Sequence, residues 1–225
     1  MCARFAVVAT AEEIQESLAM RLAHADAFFA KPEYNIAPSR GVAVVLDHGE
    51  PHLDTATWGL TPWWQMKQKM PFLTIENLAT KKTFHRLVKE HRCLMPATGF
   101  YEWRGAAGHK EPFYFFRTDH KPFAFAALAQ RTDAGDLECA LLTTRANQTV
   151  AQIHTRMPVM LSGESARRWI EDDDYREAIL SVMEPLDASL IACYPVTKRM
   201  SNPRYQEADA VTPVAPRELP KSLFD

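Results

Sequence analysis

The chain opens MCARF, with a cysteine directly behind the initiator methionine. Methionine aminopeptidases remove the initiator when the second residue is small. Loss of Met1 leaves Cys2 with a free α-amine beside its thiol. The amine titrates near ~7.7–8.0 and the thiol near ~8.5, so part of each is deprotonated at neutral pH. An aldehyde meeting this pair forms an imine, and the thiolate can close on the imine carbon to give a five-membered thiazolidine. Serine closes to a less stable oxazolidine, and an internal cysteine has no amine to offer. The alternative is an incidental small residue at position 2.

Two further groups suit such a reaction. In GFYEW, Gly99 to Trp103, a strand puts Phe100 and Glu102 on one face and Tyr101 and Trp103 on the other. A carboxylate inside an aromatic strand must be paired, hydrogen-bonded or protonated if it is buried, which makes Glu102 a candidate acid/base or amine-orienting group. The alternative is an edge-strand glutamate facing water. In IHTRMPVML, Ile153 to Leu161, His154 lies where a helical run ends, a place from which histidine can shuttle protons near pH 7, and Arg156 can meet a phosphate. A histidine satisfied by backbone is the competing reading. EYNIAPS and WGLTPWW look like walls: Asn35 in a proline-pinned loop can hydrogen-bond, and Trp63 and Trp64 can stack on unpaired bases.

The elements that must position these groups are mostly short strands. Alternating or apolar runs predict strands over Arg4–Val8, Val42–Leu46, Leu53–Trp58, Gly99–Trp103, Phe113–Arg117, Phe123–Leu128, Glu138–Thr144 and Pro158–Leu161. RGAAGHKEP, Arg104 to Pro112, reads as a hairpin loop. Thr10 with Glu13 makes a capping box ahead of a helix to about Leu22. Ala146–Ile153, Glu164–Ile170 and Tyr175–Val182 are the other helical candidates. The mixture predicts an α+β fold, a single domain over residues 1–225 with a curled antiparallel sheet or barrel at its centre.

Composition narrows the class. Of 225 residues, 47% are hydrophobic, enough for one sizeable core, and no run approaches the ~20 apolar residues of a membrane span. The N-terminus lacks the pattern of a signal peptide, so a cytosolic protein is expected, or a nuclear one if its source is eukaryotic. Cys93, Cys139 and Cys193 lie in apolar runs and read as reduced core cysteines; with no CxxC pair, no metal site is expected. The net charge of −2 hides an asymmetry, because Trp63 to Arg92 carries seven basic residues against Glu76 and Glu90. A locally basic stretch beside tryptophans points to a polyanion on one face; a solvated basic surface is the plainer reading.

Taken together, MCARF, EYNIAPS, WGLTPWW, RCLMPATGFYEW and LLTTRANQTVAQIHTRMPVML, in that order, resemble the SOS response-associated peptidase (SRAP) family, and YPVTKRMSNPR resembles the family's closing strand and loop. The resemblance implies a curled β core with a cleft for single-stranded DNA. It also implies a processed N-terminal cysteine that traps abasic sites as a thiazolidine-linked crosslink, and an autoproteolytic activity that exposes this cysteine when residues precede it. By position, the nucleophile is Cys2, the sensing carboxylate Glu102, and the histidine at the opened sugar His154. Arg4, Asn35, Trp63, Trp64, Lys82, Arg86 and Arg156 form the expected DNA-binding set. No cofactor is implied. The expected partner is single-stranded DNA containing abasic sites, met by a monomer in the cytoplasm that joins the nucleoid when bound.

The sequence departs from the family pattern in one segment. Where the family has an NARxET-like run, this chain reads FLTIENLATKKTF, Phe72 to Phe84. Glu76 takes the place of the family's glutamate, its asparagine falls on Phe72 and its arginine on Thr74. Asn77, through a shifted loop, is the candidate for the missing asparagine. Ala3 stands where MCGRF has glycine. Two other functions compete with abasic-site trapping: a peptidase or amidase using the Cys2 thiol with its own amine as base, and a non-covalent reader of single-stranded or modified DNA.

Overall fold

The computed structural model describes residues 3–47, 49–62, 68–105 and 110–214. Cys2, Trp63 and Trp64 lie outside the described residues. Thirteen strands are described: β1 (Phe5–Val7), β2 (Glu33–Ile36), β3 (Gly41–Asp47), β4 (Pro51–Trp58), β5 (Phe72–Thr74), β6 (Arg92–Ala97), β7 (Gly99–Arg104), β8 (Glu111–Arg117), β9 (Phe123–Arg131), β10 (Leu137–Arg145), β11 (Arg156–Pro158), β12 (Met160–Leu161) and β13 (Ile191–Pro195). The helices are α1 (Ala11–Leu18), α2 (Ala25–Phe28), α3 (Ile75–Thr80), α4 (His85–Glu90), α5 (Gln148–Ala151), α6 (Gly163–Glu171) and α7 (Tyr175–Ser181).

Strands β3, β4, β10, β9 and β6 pair in a closed ring, since β10 meets β4 on one edge and β9 on the other. The fold is α+β with a curled, barrel-like core. Its pairings are antiparallel except where β10 runs parallel to β4 and to β5. Strand β10 is long enough to change neighbours along its length: its first half lies between β4 and β9, its second half between β5 and β11. That second half organises the site.

The other sheet is antiparallel in the order β13-β8-β7-β1-β2. Its inner face supplies Phe5, Phe100 and Phe115 to the same apolar cluster as Val44, Trp58, Met95, Phe125 and Leu141 of the ring. Its outer face carries Ala6, Tyr101 and Tyr114 beneath the turns that hold Met200 and Ala210. Gly99 opens β7 for a steric reason: a Cβ there would lie 2.3 Å from the Tyr114 ring and 2.5 Å from the Phe115 carbonyl. Helices α1, α3, α4, α6 and α7 cover the remaining apolar face through Ile14, Leu78, Leu87, Trp169 and Ile179.

The Thr10–Glu13 capping box forms, with Thr10 N–H donating to Glu13 Oε2 at 2.7 Å. Helix α1 ends earlier than its pattern suggests, because Ala19 turns into the left-handed region with φ 54°. The Pro158–Leu161 strand is instead two short pieces pairing with different partners, β11 with β10 and β12 with β9. Of the three core cysteines, Cys93 and Cys139 are fully buried and Cys193 is half-buried; all three are free thiols. Arg92, counted in the basic stretch, is turned inward. Its guanidinium donates to the carbonyls of Val88, Trp169 and Asp172, tying the ends of α4 and α6 to β6.

Candidate active site

Strand β7 supplies the carboxylate. Glu102 shares the inward face with Phe100, and its residue is 3% exposed, so the water-facing alternative does not hold. Burial pushes its carboxyl up to about 7, against the opposing pull of the Trp103 backbone N–H and the charge of Lys110. The imidazole comes from the turn after α5. Asn147 caps that helix by accepting from Val150 N–H at 3.0 Å, and the His154 N–H closes the turn on Val150 O at 2.9 Å. The two side chains meet with His154 Nδ1 4.0 Å from Glu102 Oε1.

Their charge states follow from this geometry. Burial lowers the His154 pKa below its ordinary value while raising that of Glu102. Both directions disfavour a carboxylate–imidazolium pair, so near pH 7 His154 is neutral and Glu102 is divided between its two forms. The Arg156 backbone N–H donates to His154 Nδ1 at 3.0 Å. A backbone amide is always the donor, so this contact favours a neutral ring with its proton on Nε2, whereas the Arg156 carbonyl, 3.2 Å from the same nitrogen, would accept from the other tautomer. Lys110, on the loop before β8, influences both groups and was not singled out from the sequence; its signal there was only one cation in a turn-rich hairpin.

Strand β1 brings the N-terminal residues to the same strand. It is antiparallel to β7, pairing Phe5 with Phe100, and the Tyr101 N–H donates to Arg4 O at 3.0 Å. The Arg4 side chain donates to Asn35 Oδ1 at 2.9 Å and to the carbonyls of Met200 and Ser201, and lies over the Trp103 ring. Asn35 is 0% exposed, and its amide also donates to the carbonyls of Met200, Asn202 and Tyr205. Asn35, expected in the DNA-binding set, is a buried brace between β2, Arg4 and the 200–205 loop.

The remaining candidates separate. Lys82 and Arg86 are exposed; Arg86 Nε donates to Glu90 Oε2 at 3.2 Å, one turn along α4. Arg156 is engaged by Glu76 rather than open to solvent. Asn77 lies on α3 beside Glu76, and its side-chain amide makes no hydrogen bond among the described residues; the hydrogen bonds place Glu76 against the His154 turn. Phe72 packs edge-on against Trp58, 5.8 Å between centroids, and joins the core cluster. A second buried carboxylate, Glu138, carries no motif in the sequence. Glu138 accepts from Thr61 N–H at 2.7 Å and pairs with Lys69 Nζ at 2.9 Å, so it grips both stems of the segment that carries the paired tryptophans in the sequence.

The sequence matches the model of the family described as SOS response associated peptidase (SRAP) over residues 1–203. The chain belongs to the SRAP family. Among similar SRAP relatives is the abasic site processing protein YedK of Escherichia coli, 30% identical, with 95% of this chain and 100% of that protein covered. Another is the abasic site processing protein YoqW of Bacillus subtilis, 29% identical over 94% of this chain and 99% of that one. A crystal structure of a Bacteroides thetaiotaomicron protein, 20% identical, superposes with a TM-score of 0.77 over 95% of this chain and 100% of its own, and so shares the fold.

Proposed function

We propose that this SRAP protein traps abasic sites in single-stranded DNA by forming a thiazolidine through Cys2, once Met1 or any preceding residues have been removed. The observation that supports the reading most strongly is that Glu102, buried on the strand that pairs with β1, faces His154. Cys2 is two residues upstream of the Arg4 carbonyl bound by Tyr101, a reach of about 7 Å of extended chain. Relatives named as abasic site processing proteins support the same substrate.

In this reading the closed abasic sugar is met by the His154 Nε2–H, which hydrogen-bonds the ring oxygen as the sugar opens to its aldehyde. Glu102, half ionised near pH 7, orients the Cys2 amine and accepts its proton. Amine and aldehyde form an imine with loss of one water, and the thiol then adds across the C=N bond, its proton passing to nitrogen. No oxidant or cofactor enters the balance. Lys82, Arg86, Trp63 and Trp64 seat the strand. Arg4 and Asn35 act from beneath the site by fixing β1. Asn77 is kept as the candidate for the family's asparagine, since Phe72, which stands at that position, packs into the core.

The same reading places the protein in the cytoplasm as a monomer, on the nucleoid when bound to DNA. It includes autoproteolysis when residues precede Cys2. The test is incubation of the intact chain with single-stranded DNA containing one abasic site. One covalent adduct per protein is expected, with the mass of protein plus DNA less one water, and without borohydride. Repeated turnover of a peptide with no DNA adduct would favour an N-terminal-nucleophile amidase instead.

A further inference from the structure

Glu76 stands in the segment that departs most from the family pattern, and neither the carboxylate–imidazole pair nor the DNA-binding set accounts for it. It lies in the first turn of α3 and holds Arg156 from both sides: Arg156 Nη1 donates to Glu76 Oε1 at 2.6 Å and Nη2 to Oε2 at 2.8 Å. Nη2 also donates to the Thr143 carbonyl at 2.7 Å. Thr143 of β10 is the register partner of Thr74 on one side and of Pro158 on the other. The ion pair therefore closes a brace across the second half of β10, joining α3 to β11. At its far end the Arg156 backbone N–H donates to His154 Nδ1, and the Arg156 carbonyl lies 3.2 Å from the same atom.

We propose that Glu76 is a positioning residue for His154, acting through Arg156: the bidentate pair fixes residue 156 so that its N–H holds the imidazole in the Nε2–H form facing the site. This deepens the abasic-site reading and rests on it for the role of His154. Bidentate carboxylate–guanidinium geometry suits the task because two parallel hydrogen bonds fix orientation as well as distance. The hydrogen bonds from Arg156 keep the Glu76 carboxyl below its ordinary range, so the brace is charged across the pH interval in which the reaction runs. Arg156 is thereby spent on the protein. Its two terminal nitrogens are occupied and its Nε is buried, which leaves little of the guanidinium for a phosphate.

The test uses the full chain with Glu76→Gln, which keeps the shape and removes the charge, and Glu76→Asp, which keeps the charge. Side-chain nitrogen NMR, with the His154 signal assigned by its loss in His154→Ala, reads the tautomer directly. The parent and Glu76→Asp should show a single Nε2–H form, and Glu76→Gln a mixture of tautomers. Trapping of a closed abasic sugar by Glu76→Gln should slow about tenfold, part of the ~10²–10⁴-fold that a general acid contributes. Trapping of a pre-opened aldehyde, and affinity for single-stranded DNA, should stay within about twofold of the parent, since neither needs the acid.

A parental tautomer and rate in Glu76→Gln would overturn the proposal. Tighter DNA binding with a steeper salt dependence would also overturn it, by showing that Glu76 restrains a phosphate-binding Arg156. If the parent itself forms no adduct, the abasic-site reading fails, while the tautomer measurement still decides whether Glu76 positions His154.

Discussion

At the residue scale the site turns on the cost of burying one carboxylate. Glu102 holds its proton in the folded chain up to about pH 7, whereas its ordinary value is 4.5. Between those values the folded state binds more protons than the unfolded state. Stability therefore falls as pH rises from 4.5 to about 7 and stays reduced above. Glu102→Gln removes this ionisation. The variant should melt above the parent at pH 8, and the difference should shrink towards pH 4.5; a difference independent of pH would contradict the assignment. The sequence showed the dilemma of a glutamate in an aromatic strand but left both outcomes open. Burial depends on β1, β8 and the ring packing around β7, and a strand's own alternation cannot say what covers its inner face. The burial of Asn35 was not legible for the same reason: its partners, at Met200 to Tyr205, are about 165–170 residues away in the chain.

At the element scale, longer strands were easier to recognise than short helices. The eight strand runs read from the sequence all contain strands, although Pro158–Leu161 divides. Helices α2, α3 and α4, with four to six residues, gave no usable period, and none has a side-chain cap. Such helices owe their existence to packing, here through Leu78, Leu87 and Val88 against the core, more than to propensity. Strand β6 was hidden by its proline, Pro96. Within the basic stretch Arg92 is turned to internal carbonyls and Lys69 pairs with the buried Glu138, whereas Lys82 and Arg86, around the start of α4, are exposed without a buried acidic partner among the described residues. Replacing Lys82 and Arg86 together by glutamate should weaken single-strand binding and flatten its salt dependence. Each phosphate that is no longer neutralised should remove about 0.7 from the slope of log K against log salt. An unchanged slope would move the DNA path elsewhere.

At the scale of the whole molecule, the ring and the second sheet share one apolar cluster, with Phe125 at their meeting. It contacts Phe5 and Phe100 of the second sheet at 5.5 Å and 6.5 Å and Phe123 at 5.3 Å, in edge-on geometry. From this we propose that the described residues fold as one cooperative unit. Phe125→Ala should cost about 3–5 kcal/mol, and the protein should still unfold in one transition by both fluorescence and far-UV circular dichroism. Two separated transitions would divide the chain into independent parts.

Abasic-site trapping by this protein depends on Cys2 being the residue that forms the adduct. The direct measurement is the mass of the product formed with abasic single-stranded DNA by two variants, Cys2→Ala and a chain in which Cys93, Cys139 and Cys193 are all replaced by alanine. Cys2→Ala should bind the DNA nearly as well as the parent and give no stable adduct. The triple replacement should give the parental adduct, protein plus DNA less one water. An adduct retained by Cys2→Ala and lost from the triple replacement would contradict the account.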